Sequence, residues 1–322
     1  MKIFITGNLG FIGTHLAELL IERGFTVIGF DKEQPSGNEK YECILGNILD
    51  VELLNKSTKD NIDLIIHLAA DHKDNLLPKS IYYDVNVQGT QNLIDACTIN
   101  NISRILFTST VAVYGLNPTE TSDDSAPDPL NDYARSKLQA EQNLIHWWKK
   151  KNNRSLSIIR PTVVFGENNR GNVFNLMKQL ANNRFIMVGS GENKKSIAYV
   201  GNLVEFILKA LEFEKGIHIY NYADKPDYTM NELVESISNR LKLKSSILHI
   251  PYILGLFISI LFDFKSYLTQ RTYIISKIRI QKFCSNSIIS TVKLDKIDFN
   301  RTFTISQALD KTIQSEFGRF YS

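Results

Sequence analysis

The stretch that decides the fold is the amino-terminal Lys2-Ile3-Phe4-Ile5-Thr6-Gly7-Asn8-Leu9-Gly10-Phe11-Ile12-Gly13. A strand-like run leads into a turn with glycines in the spacing G-x-x-G-x-x-G, and helical periodicity follows from Phe11 to Arg23. Gly7 permits the tight turn, Gly10 lets the main chain approach a pyrophosphate, and Gly13 lets helix and strand pack closely. The first N–H groups of the helix complement an anion. This strand–loop–helix context predicts a dinucleotide phosphate loop.

Beyond this loop, the first half of the chain alternates apolar strand-like runs with helical patterns. The strand-like runs are Thr26–Phe30, Leu64–Leu68, Ile105–Phe107 and Ser157–Ile159, and the helical patterns include Val85–Asn100 and Asp132–Lys151. Fully apolar strands separated by helices are typical of a parallel sheet covered on both faces. We therefore predict an α/β fold, a Rossmann-type doubly wound parallel sheet with a smaller mixed α/β C-terminal substrate domain. The predicted NAD-binding domain takes residues 1–165, with 196–223 returning to it, and the substrate-binding domain takes 166–195 and 224–322.

The composition of the 322 residues is that of an ordinary globular chain, with 43% apolar and 22% charged residues. This excludes collagen, low-complexity disorder and disulfide scaffolds. The formal net charge of +3 is too small to indicate a nucleic-acid partner. Cys43, Cys97 and Cys284 have neither disulfide nor metal-ligand spacing, so we expect a cytoplasmic protein without a metal site. The first apolar run is too short for a signal peptide, and no stretch is long enough to cross a bilayer as one helix.

Asp31 ends the second strand-like run, 18 residues beyond Gly13. A carboxylate there accepts hydrogen bonds from the adenosine ribose hydroxyls and repels a 2′-phosphate, which predicts NAD as the cofactor. The neighbouring Lys32 would weaken this discrimination against NADP. Asn47 and Ile48 follow the third strand, where an adenine pocket would form.

Tyr133 and Lys137 are four residues apart in a helical pattern, so they share one helical face. A Lys ammonium beside a phenol stabilises the phenolate and lowers the pKa of the tyrosine. A tyrosine poised in this way acts as a general base at neutral pH. The spacing Y-x-x-x-K is common on protein surfaces, but its place after five strand signals and a glycine-rich loop predicts a catalytic pair.

Together these residues resemble the extended short-chain dehydrogenase/reductase family, of the nucleotide-sugar epimerase and dehydratase kind, along essentially the whole chain. The resemblance rests on Gly7, Gly10, Gly13, Asp31, His67-Leu68-Ala69-Ala70, Asn86-Val87-Gln88-Gly89-Thr90, Ser109-Thr110-Val111-Ala112-Val113-Tyr114-Gly115, Tyr133, Lys137 and Arg160-Pro161. It implies that Thr110 binds the reacting sugar oxygen, that Tyr133 is the base, and that Lys137 holds the nicotinamide ribose and tunes Tyr133. It also implies that Asn86 supports the active-site helix. The predicted cofactor-binding residues are Gly7, Gly10, Phe11, Ile12, Gly13, Asp31, Asn47, Ile48, Leu68, Ala69, Ala70, Asn86, Tyr133, Lys137 and Pro161.

Val111 and Ala112, which follow Thr110, narrow the reaction. The 4,6-dehydratases of this family carry Asp-Glu there for proton removal and water elimination, and neither Val111 nor Ala112 can transfer a proton. A 4-epimerase, which regenerates its NAD in each cycle, and a 4-keto-sugar reductase, which consumes NAD(P)H, both remain. A non-catalytic NAD-binding scaffold is a third hypothesis, and the intact Thr110, Tyr133 and Lys137 argue against it.

The second half resembles a polysaccharide-assembly branch of the family, which includes N-acetylglucosaminyl-diphospho-undecaprenol 4-epimerases, UDP-N-acetylhexosamine 4-epimerases and 4-keto-sugar reductases. The matching stretches are 71–74, 80–86, 170–176, 195–202, 220–226 and 279–284. The resemblance implies a sugar-diphosphate substrate, with N-acetylglucosamine and N-acetylgalactosamine interconverted on undecaprenyl diphosphate or on UDP for O-antigen or capsule synthesis. Lys195 stands where sugar epimerases carry Arg, and Ser287 stands where galactose-type epimerases carry a bulky Tyr, which would admit an N-acetyl group. The candidate substrate-binding residues are Thr110, Asn172, Lys195, Arg279 and Ser287.

A basic and apolar segment lies between residues 241 and 290. It holds seven Lys and Arg residues against one acid, Asp263, and contains the apolar run Ile250–Phe262. A short apolar helix flanked by basic residues can lie in a membrane interface, which predicts peripheral contact with the cytoplasmic face of the inner membrane. A buried helix of the substrate domain is the equal alternative. The resemblance further implies a homodimer through a helix pair, here 85–100 with 132–151.

Overall fold

The computed structural model describes residues 1–73, 76–116, 120–243, 247–269 and 276–318. Strands β1 to β12 are Lys2–Thr6, Thr26–Asp31, Glu42–Leu45, Leu64–His67, Arg104–Thr108, Ser155–Pro161, Val163–Phe165, Ile186–Val188, Lys194–Tyr199, Ile217–Tyr222, Asp224–Thr229 and Leu248–Ile250. Helices α1 to α11 are Phe11–Glu22, Val51–Ser57, Ser80–Tyr83, Gly89–Ile99, Asp132–Lys149, Asn172–Ala181, Val200–Ala210, Met230–Arg240, Tyr252–Thr269, Lys277–Cys284 and Ile305–Phe317. A π-helical turn, Asp84–Gln88, joins α3 to α4. Asp74, Lys244 and Arg271, which belong to the sequence patterns above, lie outside the described residues.

The main sheet is parallel, and its strand order fixes where a ligand binds. Across the sheet the described strands run β3-β2-β1-β4-β5-β6-β10. The chain winds outward in one direction through β1, β2 and β3 and in the other direction from β4, so the order reverses between β1 and β4. In such sheets the crevice beyond the carboxyl ends of the strands at the reversal point binds the ligand. The predicted Rossmann-type doubly wound fold is therefore confirmed.

Alternate residues of β1 enter the two halves of the core. Ile3 and Ile5 are fully buried on the face that α1 covers, whereas Phe4 is fully buried on the other face with Phe30 and Phe107. Both faces of the central strands are apolar because helices cover both. This double burial explains why the strands form continuous apolar runs in the sequence rather than alternating ones.

Strand β6 is longer at both ends than the predicted Ser157–Ile159, and it includes a charged residue. The Arg160 guanidinium is buried and donates two hydrogen bonds to the Glu141 carboxylate of α5, at 2.9 and 2.5 Å. A buried charge is tolerated when it is paired and hydrogen-bonded. A contact with a helix residue earlier in the chain therefore lets the strand continue to Pro161.

Residues 196–223, which we expected to return to the NAD-binding domain, divide between two sheets. β10 pairs with β6 at the end of the main sheet, and α7 packs against α1. β9 instead lies between β7 and β11 in a separate three-stranded sheet. The division of the chain into two domains, with 196–223 assigned to the first, stays a prediction.

Both edges of the main sheet are shielded. At one edge, β3 has only four residues, of which Glu42 is exposed and charged. At the other edge, the Lys293 Nζ donates a hydrogen bond to the Ile219 carbonyl oxygen of β10 at 2.5 Å. A charged side chain thus lies beside each edge strand: Glu42 within β3, and Lys293 from a later segment against β10.

Helices α9 and α10 pack against each other in the second half of the chain. Beneath them, β12 pairs in parallel with β8. At Gly255 of α9, an added Cβ would lie 2.5 Å from the Val188 Cγ1 of β8, so this face of the helix approaches the strand closely. Among the residues that the structure describes, none of the helices combines the length and apolar composition needed to cross a bilayer.

Candidate active site

The carboxyl ends of five neighbouring strands bring most of the predicted cofactor and catalytic residues to one edge of the main sheet. Parallel strands place their carboxyl ends together, so residues far apart in the sequence line one crevice. The residues at or just beyond these strand ends are Gly7, Asp31, Leu68, Ala69, Ala70, Thr110 and Pro161. Tyr133 and Lys137 join them from the first turns of α5.

In the glycine-rich loop between β1 and α1, two glycines lie very close to other main-chain atoms. Gly7 has a φ of +76°, and an added Cβ would lie 2.7 Å from the Ala69 nitrogen. At Gly13 an added Cβ would lie 2.1 Å from the Gly7 carbonyl oxygen. Helix α1 can therefore begin this close to β1 only because residue 13 has no side chain. An added Cβ at Gly10 would meet one atom, the Gly7 oxygen at 3.2 Å. The outer side of Gly10 is therefore open, which fits the pyrophosphate of a dinucleotide.

Asp31 orders the glycine-rich loop. Its Oδ2 accepts a hydrogen bond from the Leu9 nitrogen at 2.9 Å, and its Oδ1 accepts one from the Glu33 nitrogen at 3.0 Å. The side chain is half-buried, and a carboxylate has acceptor positions beyond these two, which fits ribose hydroxyls. The Lys32 Nζ lies 3.5 Å from the Asp71 carboxylate, so a second acid shares its charge.

The other predicted cofactor residues differ in exposure. Asn47 is exposed, and its Oδ1 accepts a hydrogen bond from the Leu49 nitrogen at 3.0 Å. Ile48 is buried in the core, and its carbonyl oxygen accepts a hydrogen bond from the Asn92 side chain at 3.1 Å. Half-buried positions are taken by Phe11, Ile12, Leu68, Ala69 and Ala70. An adenine contact from the turn after β3 would therefore come from Asn47 rather than from the Ile48 side chain.

Tyr133 and Thr110 meet beyond the carboxyl end of β5. The Thr110 Oγ1 accepts a hydrogen bond from the Ala112 nitrogen at 3.1 Å. Burial raises the pKa of Tyr133 to about 12, and the nearby Thr110 side chain opposes that rise. We expected Lys137 to lower the pKa of Tyr133. With the side chains of the protein alone, this expectation is wrong, because burial disfavours the phenolate more than the neighbouring side chains favour it.

The Lys137 side chain is buried against the sheet. Its Nζ lies 3.9 Å from the centre of the Phe107 ring, in a cation–π contact. Burial lowers the pKa of Lys137 to about 7, and the Glu141 carboxylate, one turn further along α5, opposes that shift. Burial thus weakens the preference of Lys137 for its ammonium form, and a bound hydrogen-bond acceptor would restore it.

Asn86 ties α5 to the loop after β4. Its Nδ2 donates hydrogen bonds to the Asp71 carbonyl oxygen at 3.0 Å and to the Ser136 Oγ at 2.9 Å. The Ser136 Oγ in turn donates to the Tyr133 carbonyl oxygen at 2.8 Å. Asn86 lies in the π-helical turn, and such turns are frequent at functional sites. The structure thus connects Asn86 with the helix that carries Tyr133.

Sequence reasoning missed a buried network behind this site. The Arg160 Nη1 donates a hydrogen bond to the Tyr114 hydroxyl at 2.6 Å, and that hydroxyl donates to the Asn221 Oδ1 at 2.9 Å. Arg160 also pairs with Glu141, as described above. The signal present in the sequence is the position of Glu141, four residues after Lys137 on the same helical face.

Ser109, beside Thr110, was also missed. Its Oγ is buried and has no hydrogen-bond partner among the residues that the structure describes. A buried polar group without a partner costs about 1–3 kcal/mol. Such an atom at the crevice fits a bound molecule with a polar group, as a dinucleotide has.

Two of the predicted substrate residues, Lys195 and Ser287, are neighbours joined by a β-bridge. The Lys195 Nζ donates hydrogen bonds to the carbonyl oxygens of Lys282 and Ser285, at 2.7 and 2.6 Å. Burial lowers the pKa of Lys195 to about 8. Lys195 therefore fastens the carboxyl end of α10, and one N–H of its ammonium is left for a phosphate oxygen. Its contact with the substrate stays a prediction.

The other predicted substrate residues lie on two helices. Asn172 is exposed at the start of α6, and Arg279 is half-buried on α10. A cavity of about 420 Å³ lies beside α10, and its lining includes Leu116 and Tyr252 of α9. A larger cavity, of about 610 Å³, is lined by α8 and α11 and contains none of the predicted residues. Among the described residues, no group of three His, Cys, Asp or Glu side chains is placed to hold a metal ion.

His67 is buried at the end of β4 between two threonines. Its Nδ1 lies 2.7 Å from the Thr6 Oγ1, and its Nε2 lies 3.0 Å from the Thr90 Oγ1. The Thr90 hydroxyl donates its proton to the Asn86 carbonyl oxygen, so it accepts from the Nε2–H of His67, and Nδ1 accepts from Thr6. Burial, followed by the Lys137 ammonium, lowers the pKa of His67 to about 3.

We expect His67 to remain neutral in the folded protein at mildly acidic pH. Because its pKa is lower in the folded than in the unfolded chain, its contribution to the free energy of unfolding is complete above about pH 6.5 and is lost as the pH falls toward about 3. An NMR titration should show one histidine resonance that does not shift between about pH 8 and pH 5 and that is missing from the His67→Gln spectrum. A His67 resonance that titrates near about pH 6.5 would contradict the network.

The family to which the chain belongs emerges from comparison with known proteins. The model of the NAD dependent epimerase/dehydratase family matches residues 3–223, from β1 to the end of β10. The chain is 44% identical over 318 residues to the N-acetyl-alpha-D-glucosaminyl-diphospho-ditrans,octacis-undecaprenol 4-epimerase of Escherichia coli O157:H7, covering 98% of this chain and 95% of the relative.

Two solved structures share the fold. The UDP-glucuronic acid 4-epimerase from Bacillus cereus in complex with NAD has a TM-score of 0.78 and 21% identity, and 100% of both chains is covered. The UDP-N-acetylglucosamine 4-epimerase from Bacillus cereus has a TM-score of 0.77 and 22% identity, with 98% of this chain and 99% of that chain covered. With the glycine-rich loop, Asp31 and the Tyr133–Lys137 pair inside the matched residues, the chain belongs to the NAD dependent epimerase/dehydratase family.

Proposed function

We propose that the chain is an NAD-dependent 4-epimerase that interconverts N-acetylglucosamine and N-acetylgalactosamine on a lipid diphosphate carrier, undecaprenyl diphosphate. The observation that carries the reaction is the meeting of Tyr133 and Thr110 beside the NAD crevice, with Lys137 one turn further along α5. The carrier is supported by the 44% identity to a 4-epimerase of this substrate class over 98% of the chain.

In the proposed reaction, Tyr133 moves the proton of the sugar C4 hydroxyl. The Thr110 hydroxyl, which lies close enough to Tyr133 to lower its pKa, would position the C4 oxygen next to the phenol oxygen. When bound, NAD would supply the hydride acceptor and donor for C4 of the sugar. Tyr133 then gives the proton back, so each catalytic group ends in its starting state.

The charge state of Tyr133 depends on Lys137. With a pKa of about 12, Tyr133 keeps its proton at neutral pH and requires a nearby cation to ionise. Lys137 provides that cation when its ammonium form is stabilised, and a ribose hydroxyl oxygen is a suitable acceptor for it. The residues proposed to hold the other end of NAD are the glycine-rich loop and Asp31.

The residues next to Thr110 favour an epimerase over a dehydratase. Val111 and Ala112 begin a 3₁₀ turn that Thr110 caps, and neither side chain can take the proton from C5 of the sugar. The proposed reaction is therefore restricted to C4 of the sugar, where oxidation and reduction by the same cofactor would invert the configuration.

The substrate half supports a carrier other than a nucleotide. The Lys195 ammonium, which stands where sugar epimerases carry Arg, uses two donors on the main chain of α10. The cavity beside α10 is lined in part by the apolar side chains of Leu116 and Val188 and by the ring of Tyr252. An apolar wall suits the first carbons of a prenyl chain better than it suits a ribose.

We also propose that the enzyme works as a peripheral protein on the cytoplasmic face of the inner membrane. A lipid-linked sugar remains in the bilayer, so the active site has to approach the membrane surface. The described part of the basic and apolar segment holds five basic residues and one acid, Asp263. The basic residues are Lys242, Lys265, Lys277, Arg279 and Lys282.

The variant Tyr133→Phe should fold and bind NAD but lose turnover by about 10²–10⁴-fold, because it lacks the general base. The ring still packs, so thermal unfolding should change little. The measurement is epimerisation rate together with NAD binding on the same preparation. Near-normal turnover in this variant would remove Tyr133 from the mechanism.

The carrier is tested by incubating the wild-type enzyme with N-acetylglucosamine on undecaprenyl diphosphate in detergent and, separately, on UDP, without added cofactor. We expect N-acetylgalactosamine to form on the lipid carrier at least about tenfold faster than on UDP, since the apolar cavity wall favours the prenyl chain. Equal or faster turnover of the UDP sugar would indicate a soluble nucleotide-sugar epimerase instead. No epimerisation of either sugar, together with NAD(P)H oxidation when a 4-keto sugar is supplied, would indicate a 4-keto-sugar reductase.

We further propose a homodimer through α4 and α5, which pack side by side. Ile99 of α4 is 63% exposed, and Leu138 and Ile145 of α5 are half-buried at the surface. The exposed Asp95 of α4 and Lys149 of α5 carry opposite charges, which a two-fold contact can pair. Light scattering should give twice the 36.7 kDa of one chain, and Ile99→Asp should give a monomer. A monomeric wild-type protein would contradict the proposal.

A further inference from the structure

Helix α9 presents an apolar stripe to solvent. Five large apolar side chains of this helix are 46–78% exposed: Ile253, Leu254, Phe257, Ile260 and Leu261. At about 3.6 residues per turn, these positions occupy an arc of about 120°. Gly255 and Ser259, on the opposite side, are buried, and Gly255 approaches Val188 of β8. A core helix hides its apolar face, so the buried-helix alternative is wrong for this face of α9.

The surroundings of this α9 stripe are basic. Helix α10 packs along α9 and carries Lys277, Arg279 and Lys282, while Lys265 is exposed on α9 itself. The one acid in the described parts of 247–290, Asp263, accepts a hydrogen bond from the Lys277 nitrogen at 2.9 Å. Its negative charge therefore lies at the start of α10, and the rim of the stripe is positive.

The α9 stripe begins at the cavity beside α10. Tyr252, the first residue of α9, lines that cavity of about 420 Å³ together with Gln281 and Cys284 of α10. Leu116 also lines the cavity, and it belongs to the segment that follows Thr110 and the 3₁₀ turn. A molecule that leaves this cavity along α9 thus passes onto the exposed apolar side chains.

We infer that the α9 stripe lies in the headgroup–acyl boundary of an anionic membrane, and that the cavity at Tyr252 receives the carrier end of the substrate directly from that membrane. The second part rests on the proposed function, whereas the membrane contact depends only on the stripe and its charges. Apolar side chains enter the boundary, and basic side chains are attracted to anionic headgroups.

The charges favour a membrane over a second copy of the chain as the occupant of the stripe. In a two-fold contact through α9, the basic side chains of both copies would be brought together, and the described parts of 247–290 contribute one acid, Asp263, from each copy. An anionic lipid surface supplies the complementary charge at every position along the helix. A single helical stripe also suits a flat boundary, since its five side chains lie in one arc.

The membrane contact is tested by co-sedimentation of the full chain with vesicles of phosphatidylcholine and with vesicles of equal parts phosphatidylcholine and phosphatidylglycerol. We expect binding to the anionic vesicles that weakens when NaCl is raised from about 0.1 M to about 0.5 M, because salt shortens the Debye length. The variant Ile253→Ser/Phe257→Ser should bind at least about tenfold more weakly, since apolar side chains are lost from the boundary. The matched control Val292→Ser, at a side chain that is 62% exposed outside α9, should bind as the wild type does.

The variant Phe257→Trp reports whether this face enters the bilayer. Brominated lipids in the anionic vesicles should quench its additional fluorescence beyond that of Trp147 and Trp148 in the wild type. Vesicle binding without such quenching would show that another face docks and would overturn the inference. So would a wild-type protein that does not sediment, or one whose assembly is dissociated by Ile253→Ser/Phe257→Ser in the absence of lipid.

Activity separates this inference from the proposed function. In detergent, Ile253→Ser/Phe257→Ser should epimerise the undecaprenyl-linked sugar at the wild-type rate, because its catalytic residues are unchanged. With the same substrate in vesicles, its rate should fall in proportion to its lost binding, and an unchanged rate there would overturn the transfer from membrane to cavity. Vesicle binding by a wild-type protein that epimerises neither substrate would leave the membrane contact standing and reject the proposed function.

Discussion

The buried ion pair between Glu141 of α5 and Arg160 of β6 is the interaction on which the site depends. Its two hydrogen bonds fix the helix on the sheet one turn below Lys137 and two turns below Tyr133. Removing one partner from such a pair costs about 3–5 kcal/mol, a large share of the roughly 5–15 kcal/mol that stabilises a domain. Because Arg160 also binds the Tyr114 hydroxyl, the same group connects α5 with the turn that follows Thr110.

Burial, more than any single neighbour, sets the protonation states in the crevice. It raises the pKa of Tyr133 and lowers the pKa values of Lys137 and His67, so each group is held toward its neutral form. The two threonines around His67 favour its neutral form, because Thr6 donates a hydrogen bond to its Nδ1 and Thr90 accepts one from its Nε2–H. Among the described residues, Tyr133 and Lys137 are not enclosed by a matching pair of hydrogen bonds as His67 is. Their protonation states therefore respond to the molecule that binds beside them.

The NAD half could be predicted from the sequence because its signals are local. The glycine spacing, Asp31 and the Tyr133–Lys137 spacing each depend on residues close together in the chain, and the parallel order follows from apolar strands that alternate with helices. The role of Lys195 could not be predicted, since its acceptors lie 87 and 90 residues further along the chain. For α9, periodicity shows which side chains share a face, but only the three-dimensional packing shows that no described element covers it.

The shielded edges of the main sheet have a consequence for how this protein associates with other chains. Open edge strands are templates for strand addition, which leads to edge-to-edge aggregation. Here a short β3 with the exposed Glu42 ends one side, and the Lys293 ammonium occupies the Ile219 carbonyl on the other. Growth of the sheet by a strand from a neighbouring molecule is disfavoured on both sides, so crowding at high concentration does not readily convert this α/β protein into continuous β-structure.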